Sequence, residues 1–190
     1  MNRPATLLVL LLAGLLAGCG GGSRPTGIRA AETPADDVAE YQPRWRSHTV
    51  DSTQYRKVFL AGTIDMGRSS AWQAALVARF RDSIGGRWLF FNPRRREFHA
   101  SPAEMEYQVA WELAHLEAAD LIVMNLLGDS RSPISLLEMG LYARSGKLFV
   151  ACSPDYYRYD NVRITCRRYG VPLYDSLTAL LDDLPQQSDE

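Results

Sequence analysis

From Lys57 onward, short apolar runs alternate with longer amphipathic stretches. The runs "KVFLAGTI" (57–64), "RWLFFNP" (87–93), "DLIVMNLL" (120–127), "KLFVACS" (147–153) and "VPLYD" (171–175) are largely apolar, as strands covered on both faces of a parallel sheet must be. Between them, 69–83, 104–118, 135–145, 159–169 and 176–184 are candidate helices. In 104–118, Tyr107, Trp111, Ala114 and Ala118 recur at helical spacing, with His115 and Glu117 available for the other side. This alternation predicts a doubly wound α/β sandwich of about five parallel strands.

The first residues follow another pattern. "MNRPATLLVLLLAGLLAGCGGGS" places Arg3 before an apolar run from Ala5 that is too short for a typical membrane-spanning helix and suits a signal peptide. The run ends in Leu16-Ala17-Gly18-Cys19, which resembles the bacterial lipobox. That resemblance implies a signal peptide over 1–18 and acyl chains on Cys19 as a membrane anchor. It also implies a bacterial envelope location. Gly20, in place of an aspartate that would retain the protein in the inner membrane, points to the outer membrane. An ordinary secretory signal or a short apolar anchor are the alternatives. Residues 19–55, rich in Gly, Pro, Ser, Thr and charge, read as a flexible tether. The folded domain then covers 56–185 and leaves a tail at 186–190.

At 190 residues, formal charge −1 and 46% hydrophobic residues, the chain has room for one ordinary domain. This balance gives no electrostatic footprint for nucleic acid, although "NPRRR" (92–96) suits a single anion. Cys152 and Cys166 are either a disulfide, which an envelope location permits, or two buried thiols. His48, His99 and His115 show no metal-ligand spacing, and "AGTIDMG" lacks the G-K-[ST] ending of a P-loop. Neither a metal nor a cofactor is expected.

In a doubly wound sheet, ligands sit beyond the carboxyl ends of the strands. That rule brings "AGTID" (61–65), "NPRRR" and "GDSRSPIS" (128–135) to one rim. Glu138, among apolar neighbours, follows the last of these. Ser135-Leu136-Leu137-Glu138 has the S-x-x-E spacing of a capping box, with Pro133 at the entrance. In the first turn of a helix, amides and the dipole would keep its carboxylate ionised. Glu112, two helical turns before Asp120, is placed to project toward the same rim; a solvent-facing role is the alternative.

The ordered motifs "VFLAGTID", "NPRRR", "WELAHLEAADLIVMNL", "SPISLLEMGLYARSGKLFVACSPDYYRYDNV" and "CRRYGVPL" resemble the nucleoside 2-deoxyribosyltransferase-like family, in its diverged branch with "NPRR" and "SLLELG" signatures. The resemblance covers about 57–184. It implies a five-stranded parallel flavodoxin- or Rossmann-like sandwich, with Glu138 in "LLEMG" as the nucleophile. It also implies Glu112, as Glu rather than the usual Asp, as the acid that contacts the sugar or transfers protons. Ser132 stands where the transferases carry Asp and the related deoxynucleotide N-hydrolases carry Ser. Asn161 matches an asparagine that completes a neighbouring subunit's pocket, which implies a homo-oligomer. Phe59 replaces a tyrosine and removes a hydroxyl from the usual sugar site.

The chemistry implied is cleavage of an N-glycosidic bond. An ionised carboxylate below the sugar stabilises oxocarbenium character at C1′ and can form a glycosyl ester. Glu112, its pKa raised by burial near Glu138, would protonate the departing base. Gly62 lets backbone approach the ligand, Thr63 and Asp65 suit sugar hydroxyls, and Asn92 and Arg94 suit a base or a phosphate. Three functions stay open: a transferase of 2-deoxyribose between bases, an N-hydrolase of deoxynucleoside monophosphates, and a silent nucleoside-binding lipoprotein.

Overall fold

Burial on both faces explains why the apolar runs become strands. The computed structural model describes residues 37–184 except 98 and 100. Along the chain these form β1 (Val38–Gln42), β2 (Trp45–Arg46), β3 (Arg56–Gly62), α1 (Trp72–Ser83), β4 (Trp88–Phe91), α2 (Pro102–Ala118) and β5 (Leu121–Leu126). They continue with α3 (Pro133–Tyr142), β6 (Leu148–Cys152), α4 (Tyr159–Tyr169), β7 (Leu173–Tyr174) and α5 (Leu177–Asp183). Successive residues of β3 serve opposite faces. Phe59 and Ala61 pack with Leu116, Met139, Val162 and Cys166, whereas Val58 and Leu60 pack with Leu76, Phe80 and Leu180. The sheet is therefore the middle of three layers, with α2, α3 and α4 on one side and α1 and α5 on the other.

The expected five strands are corrected to seven. The sheet runs β2-β1-β4-β3-β5-β6-β7, all parallel except β2, which pairs antiparallel with β1. The two extra strands fall in the expected tether, so that expectation fails from residue 38. Val38, Ala39 and Tyr41 of β1 are buried and pair in parallel with Trp88–Phe91, while Glu40 and Gln42 interrupt any apolar run. A strand next to the sheet's edge, with a polar alternation, looks like linker in sequence. The signal peptide, Cys19, the tether up to residue 36 and the tail at 186–190 lie outside the described residues.

The chain lays β4 on one side of β3 and then crosses to place β5 on the other. The strand order therefore switches between β3 and β5, where a crevice forms at the carboxyl ends. Gly62 ends β3 at that point with φ +123°, and a Cβ there would stand 2.2 Å from the carbonyl oxygen of Asn125 on β5. Only glycine allows the two strands to close this tightly.

Candidate functional site

A cavity of about 420 Å³ opens at this switch point, lined by Gly62, Asp65, Glu112, Ser132 and Glu138 among others. The loop after β3 enters it with Asp65, Met66 and Gly67 all at positive φ, a backbone cost that only a well-braced loop sustains. The bracing is a run of hydroxyls. Thr63 Oγ1 accepts from the Leu127 amide at 3.1 Å and meets Ser132 Oγ at 2.7 Å. Ser132 Oγ meets Ser130 Oγ at 2.8 Å, and Ser130 Oγ donates to Asp65 Oδ1 at 2.9 Å. Each hydroxyl has one proton, so the donation runs one way, from Thr63 through Ser132 and Ser130 to the Asp65 carboxylate. Thr63 is fully buried and braces the loop, while Ser132 and Asp65 also face the cavity.

The entrance of α3 differs from expectation. Pro133 opens the helix, and Ser132 before it is left-handed at φ 40° and makes no side-chain cap. No capping box forms over Ser135–Glu138. Glu138 is the sixth residue of α3, one turn past the free amides that would have held it ionised. It is 8% exposed and has no hydrogen-bond partner among the described residues. Burial, reinforced by the charge of Glu112, pushes its pKa up to about 8. The expected first-turn, dipole-held carboxylate is thus corrected: the free site favours a protonated Glu138.

Glu112 reaches the same cavity from α2. Burial raises its pKa, opposed by a hydrogen bond from Gln108 and by the charge of Arg95. Gln108 Nε2 donates to Glu112 Oε1 at 2.6 Å and to the Pro93 carbonyl at 3.1 Å. Arg95 Nε donates to Gln108 Oε1, and Arg95 Nη1 binds Glu104 at 2.6 Å. Two carboxyl groups on different helices therefore face one space, one with a fixed donor and one without.

The other expected site residues are disposed differently. Asn92 is buried; its Nδ2 donates to Glu40 Oε1 at 2.7 Å and its Oδ1 accepts the Arg94 amide at 3.0 Å. The Arg94 guanidinium bonds the carbonyls of Gly67, Ser69 and Ser70 at 2.8, 2.9 and 3.0 Å. Neither residue lines this cavity, but Arg94 lines an adjoining one together with Arg95, Arg96, Gln108 and Glu112. Asn161 on α4 lines a separate groove beside Leu136, Met139 and Arg158. Phe59 is fully buried against Trp111, with ring centroids 6.3 Å apart, and is absent from the cavity wall. Cys152 and Cys166 are buried free thiols in one core cluster, pushed by burial to about 12 and about 11.

Sequence reasoning missed Gln108, Ser130 and Arg68. Gln108 was findable, since it lies four residues before Glu112 on the same helical face. Arg68 also lines the cavity and has no ion-pair partner among the described residues. No group of three or more His, Cys, Asp or Glu side chains among the described residues gathers to hold a metal.

A comparison with curated proteins gives no match. A family model described as "nucleoside 2-deoxyribosyltransferase like" matches residues 55–156, a stretch running from β3 past β6 that includes both Glu112 and Glu138. With more than half of its length matched, the chain belongs to the nucleoside 2-deoxyribosyltransferase-like family.

Proposed function

We propose that the protein is an N-glycosidic enzyme that transfers 2-deoxyribose between nucleoside bases, with Glu138 as nucleophile and Glu112 as proton donor. The observation that carries this is the pair of carboxyl groups facing one cavity from α2 and α3, both with pKa values raised by burial. Two such groups share one proton near neutral pH. In the reactive arrangement the proton sits on Glu112. The Glu138 carboxylate forms a bond to C1′, the C1′–N bond breaks with its electron pair passing to the base, and the base nitrogen takes the proton from Glu112. A second base then attacks C1′, surrenders its proton to Glu112 and frees Glu138. Water in its place gives hydrolysis.

Arg68 favours one second reading, an N-hydrolase of deoxynucleoside 5′-monophosphates. It is an arginine in the cavity lining with no ion-pair partner among the described residues, well suited to a phosphate. The test is to mix the protein with deoxynucleosides and their monophosphates, with and without a second base, and to analyse products by mass spectrometry. A new nucleoside formed only with the second base supports transfer. Free base from monophosphates alone supports the second reading. No product from any substrate overturns both and leaves a binding lipoprotein.

We propose a lipid anchor and a homo-oligomer as well. Cys19 carries the lipid that anchors the protein to the bacterial envelope; labelled palmitate entering the wild type and not Cys19→Ser is the expected result. The protein works as a homo-oligomer, supported by the exposed apolar side chains Ile134, Leu137 and Leu141 of α3 and Met105, Val109 and Leu113 of α2. Sedimentation as a monomer at micromolar concentration would overturn that.

A further inference from the structure

The amide of Gln108 has one workable orientation. Its oxygen accepts from Arg95, and its nitrogen donates to the Pro93 carbonyl and to Glu112 Oε1. Turned over, it would set N–H against N–H at Arg95 and oxygen against oxygen at Pro93 and Glu112. Arg95 is fixed in turn. Its side chain is 8% exposed and pairs with Glu104, whose other oxygen binds Arg44 at 2.6 Å. Polar contacts therefore run unbroken from the turn between β1 and β2 through Glu104, Arg95 and Gln108 to Glu112.

We propose that Gln108, locked by Arg95, is a positioning residue for the carboxyl pair: it commits Oε1 of Glu112 to a fixed N–H donor, holds Glu112 as the ionised partner in the ligand-free site, and leaves the shared proton on Glu138. A donor aimed at a carboxylate stabilises the anion, and Glu138 has none among the described residues. The charged groups that share a cavity wall with Glu112 are Asp65 and Arg68 after β3, Arg94, Arg95 and Arg96 after β4, and Glu138 on α3. Of these, Arg95 alone is joined to Glu112, through the Gln108 amide. Oε2 of Glu112 has no hydrogen bond among the described residues and is left to exchange protons. When substrate enters, the O–H bond of Glu138 breaks, an O–H bond forms at Glu112 Oε2, and the negative charge moves to Glu138. The kinetic part of this proposal rests on the glycosidic reading; the charge arrangement does not.

The test is a carbon-13 NMR titration of the glutamate carboxyls in the full chain, assigned with Glu112→Gln and Glu138→Gln. In the wild type, Glu112 titrates below Glu138. In Gln108→Met, which keeps the bulk and loses the donor, the Glu112 titration moves up by about one pH unit. In Gln108→Glu it moves further, because a second carboxylate faces it. Should Gln108→Met fail to fold, Gln108→Glu carries the test alone. A Glu112 titration unmoved in either folded variant overturns the proposal, as does a wild-type Glu138 that titrates first. Absence of turnover would sink the glycosidic reading and leave this test intact. An unmoved titration with turnover preserved would sink this proposal alone.

Discussion

The hydroxyls of Thr63 and Ser132 meet at 2.7 Å across 69 residues of sequence, joining the end of β3 to the entrance of α3. Both are buried, and Thr63 also takes the Leu127 amide. Thr63→Val keeps the shape and removes the oxygen, leaving the half-buried Leu127 amide and the buried Ser132 hydroxyl each short of a partner. An unsatisfied buried group costs about 1–3 kcal/mol, so a loss of about 2–3 kcal/mol is expected in urea unfolding. Activity should fall as well, because Asp65 loses the hydroxyl run that orients it. A variant as stable as the wild type would show that the run braces nothing.

Glu138 gives a stability prediction whose sign follows from its raised pKa. Below the ordinary carboxyl range, the folded and unfolded chains are both protonated at this residue. As pH rises from about 4.5 to about 8, the unfolded chain has released its proton while the folded chain retains it. Folding stability therefore falls across that window. Glu138→Gln removes the effect and should be the more stable protein at pH 7, by on the order of 3 kcal/mol, with no advantage at pH 4. Urea unfolding of both proteins at the two pH values decides it. An equal difference at both would show that Glu138 does not hold a proton in the folded state.

Much of this arrangement was legible in the sequence, and the omissions have physical causes. Glu138 and Glu112 could be placed because the strand–helix alternation fixes which loops share a rim. β1 was hidden because a strand next to the sheet's edge tolerates Glu40 and Gln42, so its composition matched that of a tether. The capping box over Ser135–Glu138 was a false match in spacing: Pro133 starts α3 earlier and moves Glu138 into its second turn. Arg94 invited a ligand role because sequence shows a charge but not the backbone carbonyls that occupy it.

The carboxyl pair also dictates a pH–rate profile. In the proposed transfer the pair carries one proton, so kcat/KM should be bell-shaped. The acid limb reports a second proton reaching Glu112 and lies above the ordinary carboxyl range, since burial raises that group. The alkaline limb lies near 8, where Glu138 gives up its proton. Glu112→Gln should lower kcat by about 100-fold or more, as loss of an acid–base group does. A rate that keeps rising past pH 9 would rule out a shared proton as the reactive state.

Arg94 separates bracing from ligand binding. Its guanidinium gathers Gly67, Ser69 and Ser70, the far end of the loop that begins with Asp65. Arg94→Met should loosen that loop and raise KM by about tenfold, equally for nucleosides and monophosphates, as expected from the loss of about 1.4 kcal/mol of uniform binding. Arg68→Met should instead weaken monophosphates selectively. If Arg94→Met weakened monophosphates alone, the guanidinium would have to leave its carbonyls for a phosphate.

Gly62 tests the crevice itself. It stands at the switch between β3 and β5 with φ +123°, a conformation open to glycine and costly for any other residue. A methyl group there would meet Asn125 at 2.2 Å from its carbonyl oxygen and 2.6 Å from its nitrogen. Both are backbone atoms, so no rotamer relieves the clash, and β3 would have to part from β5 at Gly62↔Asn125. The Thr63 amide bonds the same Asn125 carbonyl at 2.9 Å and would move with it. Gly62→Ala should therefore cost about 3 kcal/mol or more. It should also lower activity beyond what stability explains, because Thr63 begins the hydroxyl run that ends at Asp65. Urea unfolding followed by turnover at a temperature where the variant is fully folded separates the two effects. Full activity in the folded variant would mean that the close approach of the strands serves the sheet and not the site.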